Sequence, residues 1–130
     1  MPINKQDTIC APATIPGTGA ISVIRLSGPE ALSIANKVVT CNGTPLSSTD
    51  GYRIRYGTVL DNDGETVDNV LVSVFRAPHS YTGEDSAEIS CHASGYIVQT
   101  IIGLHLDAGA RSAGPGEFTR RAFVNGKMDL

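Results

Sequence analysis

The order of periodicities along the chain predicts a single α+β domain, with a mixed or antiparallel sheet of about five strands and two main helices arranged β-β-α-β-β-β-α. Three observations lead there. Runs with the two-residue period of a strand follow one another, without the strict strand-helix alternation of a doubly wound fold. Two stretches carry apolar residues at helical spacing. The length of 130 residues, 41% of them hydrophobic, suits one core and not two.

Residues 7–13 form a short β-favouring run that ends at the turn residues Pro16, Gly17, Thr18 and Gly19, and residues 20–26 (AISVIRL) read as a second strand closed by Ser27 and Gly28. Pro29 stands where a first helical residue is tolerated, and Ala31, Leu32, Ile34, Ala35, Val38 and Val39 repeat at helical spacing up to a stop near Cys41, Asn42 and Gly43. After a polar link, strands are predicted over 53–60, 68–76 and 85–92, with the hairpin signal DNDG at 61–64 between the first two. The run over 68–76 is the most apolar and is placed at the sheet centre. Ile97, Val98, Ile101, Ile102, Leu104 and Leu106 mark a second helix over 95–110, with Gly109 suited to its end. From Pro115 the sequence becomes helical or turn-rich. Its stop at Leu130 without a cap reads as a cut in a longer protein, with residues 1–114 the first domain and 115–130 the start of a helical one.

Composition narrows the function. With 10 Lys and Arg against 13 Asp and Glu, the chain has no broad basic footprint for phosphates, and three Phe, four Tyr and no Trp are few rings for stacking unpaired bases. Cys10, Cys41 and Cys91 are an odd number at spacings that fit neither a disulfide framework nor a zinc site, and read as reduced thiols. There is no export signal and no apolar run long enough to span a membrane, which predicts a cytoplasmic protein. Without a GxxxxGK[ST] loop the chain should not hydrolyse GTP by itself. His79, His92 and His105 are scattered, so no metal site is predicted, and no residue is assigned as catalytic. Cys91 and His92 are strand neighbours pointing to opposite faces, a buried thiol beside a partly exposed imidazole.

Three charged residues stand out. Arg25 shares a strand face with Ile21 and Val23, so its head either has a partner in a buried site or reaches water while its stem packs. Glu88 lies within a strongly strand-like run, either solvated or held to accept paired hydrogen bonds, and Glu84 is about 13 Å further along an extended strand, too far to act with it as an acid-base pair. Lys127 follows an Asn-Gly turn, as an ordinary surface lysine or as an ammonium held in a fixed place. Arg120 and Arg121 read as a solvated helical face or a contact with the rest of a longer protein.

Three segments together resemble one family. They are residues 7–20 running into IRLSGP, then PHSYTGEDSAEISCH at 78–92, and PGEFTRRAFVNGKMDL at 115–130. They are similar to the opening, central and third motifs of the tRNA modification GTPases known as MnmE or TrmE, and cover nearly the whole chain. The resemblance implies an amino-terminal module that binds a tetrahydrofolate derivative, 5-formyltetrahydrofolate in particular, forms a homodimer, and is similar in fold to the aminomethyltransferase of glycine cleavage. It implies folate contacts at Arg25, Glu88 and Lys127. In the family a helical domain and a GTPase domain follow, the latter holding GTP with Mg and K ions, and a flavin-dependent partner, MnmG or GidA, joins in modifying the wobble uridine of tRNA. There are two departures from the family pattern: Ala93 and Ser94 follow His92 where Gly-Gly is common, and Thr18 stands where an arginine is usual. Two other readings are a stand-alone one-carbon transferase and a tRNA-docking domain with a basic strip of Arg111, Arg120, Arg121 and Lys127.

Overall fold

A computed structural model describes residues 7–14 and 19–127, so the turn residues Pro16, Gly17 and Thr18 lie outside the described residues. The chain runs β1 (Ile9–Pro12), β2 (Ile21–Ser27), α1 (Ala31–Val38), β3 (Val39–Cys41), β4 (Arg53–Leu60), β5 (Thr66–Phe75), β6 (Ser86–His92), α2 (Gly95–Asp107), β7 (Arg111–Ser112) and α3 (Glu117–Val124), with one 3-10 turn at Leu46–Ser48. It is an α+β domain with a mixed sheet of seven strands in the order β3-β4-β5-β6-β2-β1-β7. All the neighbouring pairs are antiparallel except β1 and β7.

The expected five strands are all present. The two additional ones, β3 and β7, are the short edges of the sheet, where shortness limits unwanted pairing. Val39 and Thr40 leave the first helix because a β-branched run favours the pleated strand, and they pair with Val59 and Thr58. Two residues of β7 show no period at all. The apolar strand β5 is interior, but the middle place belongs to β6.

Helices α1 and α2 pack on one face of the sheet. The strand period of two supplies that face with Ile24 and Leu26 from β2, Val70, Val72 and Val74 from β5, and Ala87, Ile89 and Cys91 from β6, all buried against Leu32, Ile34, Ala35 and Ile101. The DNDG segment closes the β4-β5 hairpin: Asp61 Oδ1 accepts from the amides of Asp63 and Glu65, each at 2.9 Å, and Gly64 takes a φ of 82°. Ser94, one of the departures from the family pattern, caps α2 by accepting from the Ile97 amide at 3.3 Å.

Two buried details have measurable consequences. A Cβ on Gly57 would lie 2.4 Å from Val39 Cγ1 and 3.0 Å from Thr40 O, so β3 can pair with β4 only over a glycine. Gly57→Ala is expected to displace β3 and cost about 1–3 kcal/mol, read by denaturant unfolding. His105 is fully buried, with Nδ1 2.8 Å from the Ile101 carbonyl. A carbonyl only accepts, so Nδ1 carries the proton, and Nε2 is bare and unpartnered. Burial holds the His105 pKa below its ordinary 6.5, against the smaller raising effect of that carbonyl. The unfolded chain therefore binds the proton first, and stability should fall as the pH drops below about 6.5. In His105→Leu that part of the pH dependence should be absent from pH-resolved unfolding curves.

Candidate functional site

The face of the sheet away from α1 and α2 carries Val23 and Arg25 of β2, Glu88 and Ser90 of β6, Leu71 and Ser73 of β5, and Tyr56 of β4. At one end of that face β4 begins, β5 ends, β6 begins and β2 ends, and the connection between β5 and β6 carries His79, Ser80 and Tyr81. A cavity of about 320 Å³ lies there. Its walls include Arg25, Glu88 and Lys127, together with Tyr52, Phe75, His79 and Tyr81.

Arg25 and Glu88 are direct cross-strand partners in the β2-β6 register. Arg25 Nε donates to Glu88 Oε2 at 3.0 Å, with the side chains 21% and 27% exposed. The guanidinium carbon lies 4.8 Å from the ring centre of Tyr81 and 5.4 Å from that of Phe118, so the cation has two aromatic faces as well as its carboxylate. The head of Arg25 is thus held in place by these groups. Among the described residues nothing hydrogen-bonds to Arg25 Nη1 or Nη2, or to Glu88 Oε1, so donors and an acceptor stay uncommitted side by side.

Lys127 reaches the same cavity from the turn after α3. Asn125 Nδ2 donates to the Thr82 carbonyl at 2.8 Å, and Tyr81 Oη lies 3.1 Å from Thr119 Oγ1. Gly83, at φ 84°, lets the turn close in: a Cβ there would stand 2.9 Å from Asn125 Cβ and 3.1 Å from Lys127 Cγ.

Beneath this contact Arg121 is only 3% exposed, which corrects the reading of it as solvated. Its Nη1 lies 3.2 and 3.3 Å from the two Glu84 oxygens and donates to the Asp7 carbonyl at 2.8 Å, while Nη2 meets Glu117 at 3.2 Å. Arg111 grips Glu117 with two bonds of 3.1 and 2.6 Å and also pairs with Asp7. The proposed basic strip is therefore not a continuous surface: Arg121 is buried and Arg111 is neutralised twice, which leaves Arg120 and Lys127 as its exposed cations with no ion pair among the described residues. The bonds from Arg111, joined by the Gly114 amide and the charges of both arginines, push Glu117 down to about 2 against the opposing effect of burial.

Other candidates lie elsewhere. His92 Nδ1 donates to Asp68 at 2.9 Å, a pair the sequence reading missed. Burial works against the ionised form of Asp68, but the His92 amide and ring, with the Asn69 amide, hold its pKa below the ordinary value. Cys10 and Cys91 are free and buried, their thiols pushed up by burial to about 12 and about 11, with the Asp68 charge adding to the second, which leaves them poor nucleophiles. Among the described residues no three metal-ligating side chains cluster, and no helix is long and apolar enough to cross a membrane.

Sequence reasoning missed the aromatic walls. Tyr81 and His79 stand inside the PHSYTGEDSAEISCH segment, so the segment was visible while the role of its rings was not. Tyr52 lies in a polar link and gave no signal. For Arg121 the Glu117-Arg121 spacing of four residues was available as a helical ion-pair signal.

Fold and site together define a one-sheet α+β domain with helices α1 and α2 on one face and a preformed cavity, ionic and aromatic, at the end of the other. The chain belongs to the family described as GTP-binding protein TrmE N-terminus, whose pattern matches residues 8–127. Among curated relatives it is 50% identical to a tRNA modification GTPase MnmE of Parabacteroides distasonis over 96% of this chain and 28% of that protein. It is 54% identical to the protein of the same name from Bacteroides fragilis strain ATCC 25285, over 97% of the chain and 27% of the relative, and 55% identical to that of Flavobacterium johnsoniae, again over 97% and 27%. The chain thus spans little more than a quarter of the length of these relatives.

The ion network makes a definite forecast. Arg121→Ala, which takes from Glu84 its cationic partner and leaves Glu117 with Arg111 alone, is expected to cost about 3 kcal/mol in denaturant unfolding. Because the folded pKa of Glu117 lies below its unfolded value of 4.5, its contribution is complete above 4.5 and disappears as the pH falls towards about 2. Acid unfolding of Arg111→Ala should therefore begin at a higher pH than that of the wild type.

Proposed function

We propose that the cavity binds a tetrahydrofolate derivative, 5-formyltetrahydrofolate in particular, through Arg25, Glu88 and Lys127, as part of a homodimeric tRNA modification GTPase. The observation that carries the reading is the half-used Arg25-Glu88 pair. An ionised Glu88 has one oxygen left to accept from the amino-pyrimidine edge of a pterin, and Arg25 has two nitrogens left to donate. Lys127, exposed at the rim, offers an ammonium to a glutamyl carboxylate. A volume of about 320 Å³ is at the small end for ligand sites, which suits one ring system held inside with the tail passing outward. The folate would bring a one-carbon unit; the protein groups named here bind and orient it.

The wider reading takes tRNA modification and GTP from the names of the relatives and the rest from the family resemblance. In the longer protein residues 115–130 begin a helical region, a separate GTPase domain holds GTP with Mg and K ions, and a flavoprotein of the MnmG or GidA type joins in modifying the wobble uridine of tRNA in the cytoplasm. A fold similar to the aminomethyltransferases belongs to the same proposal. The open sheet face, with Ile21, Ile54, Tyr56 and Leu71 exposed, is the surface offered for the homodimer.

Calorimetric titration of the chain with 5-formyltetrahydrofolate tests the site. Saturable binding is expected, weakened about tenfold to a hundredfold in Glu88→Gln and in Lys127→Ala, the scale of one lost hydrogen bond to a charged group. Lys127 is exposed and its side chain has no hydrogen-bond partner among the described residues, so that variant should fold as the wild type does. Absence of saturable heat with the folded wild type would sink the reading.

A further inference from the structure

Tyr52 combines two features that ordinary packing does not explain. Among the described residues it is the one non-glycine at positive φ, 61°, a left-handed conformation that a bulky L residue adopts at a cost. Its backbone is fixed there by its surroundings. The Tyr52 amide donates to the Val74 carbonyl at 2.8 Å, and the stem of Arg76 lies against Gly51, where a Cβ would come within 3.3 Å. Arg76 in turn holds the carbonyls of Ser47 and Thr49 at 2.7 and 2.8 Å. Glycine or asparagine would suit such a place, yet a tyrosine stands in it.

Nor does burial account for the ring, since the residue is 72% exposed. It is nevertheless oriented: it meets Phe75 edge to face with centres 6.3 Å apart at 87°, and lies 6.2 Å from His79 at a tilt of 38°. All three rings line the cavity that holds Arg25 and Glu88. A strained backbone that carries an oriented and largely uncovered ring at a cavity wall is a cost without a return in the folded chain alone.

We infer that Tyr52 is a specificity-determining wall of the cavity, a stacking surface for a flat conjugated ring of the ligand. The inference rests on the folate reading and adds to it a residue outside the Arg25, Glu88 and Lys127 set. Phe75 and His79 hold the ring upright, and the left-handed backbone aims it.

Three variants test this, each followed by thermal unfolding and by calorimetric titration with 5-formyltetrahydrofolate. Tyr52→Gly removes the ring and relieves the backbone, so its Tm should be unchanged or raised while affinity falls about tenfold, the scale of one lost aromatic pair. Tyr52→Phe should bind within about twofold of the wild type, because the ring face is kept. The chain has no tryptophan, so the indole of Tyr52→Trp is a sole reporter whose emission should change in step with calorimetric saturation. Equal affinity in Tyr52→Gly, or an indole emission in Tyr52→Trp that stays constant at saturation, overturns the inference and leaves the folate reading standing. A fall of Tm and affinity together in Tyr52→Gly marks the ring as a structural prop and also overturns it. Failure of the folded wild type to bind overturns both.

Discussion

Arg121 holds together the part of the molecule on which the cavity depends. A guanidinium at 3% exposure needs partners for its charge, and it finds them in three separate pieces of chain: Glu84 before β6, Glu117 on its own helix, and the Asp7 carbonyl ahead of β1. Burying such a group gives little net stability, because desolvation consumes most of the attraction. What it does give is placement. With the charge satisfied in one arrangement only, α3 must lie against the β5-β6 connection, and so Tyr81, Phe118 and Lys127 must stand around one space. Ser27 extends the arrangement into the sheet by donating to Glu84 at 2.8 Å.

The molecule holds two kinds of ion pair. The Arg121 cluster is closed: both Glu117 oxygens are used, Arg111 backs them, and only the buried Nε of Arg121 lacks a partner among the described residues. The Arg25-Glu88 pair is open, with one bond made, partial exposure, and donors and an acceptor left over. A closed cluster fixes structure, whereas an open pair beside a cavity has capacity for a ligand. The aromatic faces of Tyr81 and Phe118 matter for the second kind, since they hold the arginine in place without using up its hydrogen bonds.

The sequence reading reached as far as its signals did. Period-two runs located β2, β4, β5 and β6, and helical spacing located α1 and α2, because each of these buries one face and so shows a regular pattern. The edge strands β3 and β7, at three and two residues, are defined by pairing with distant chain and have no pattern of their own. Helix α3 misled for a different reason: its buried face is Glu117, Arg121 and Ala122, so a rule that looks for apolar residues inside reads it as solvated. At the site, Arg25 and Glu88 drew notice as charges on strand faces, but their pairing depended on a register that neither strand reveals alone. Tyr52 could not be found from sequence, since its meaning lies in a backbone angle and in neighbours from β5 and the following loop.

A single sheet can hold both a core and a site because a strand sends alternate side chains to opposite faces. In β6, Ala87, Ile89 and Cys91 go to the core, while Glu88, Ser90 and His92 go to the open face, so the same hydrogen-bonded ladder that stabilises one set positions the other. A shift of register by one residue would turn Glu88 into the core and Ile89 to the cavity, and the apolar packing of Ile89 between Ile24 and Val72 opposes that shift. The core thereby sets where the Arg25-Glu88 pair can form. Outside the sheet, in the β5-β6 connection and α3, the burden of placement passes from apolar packing to the charges around Arg121.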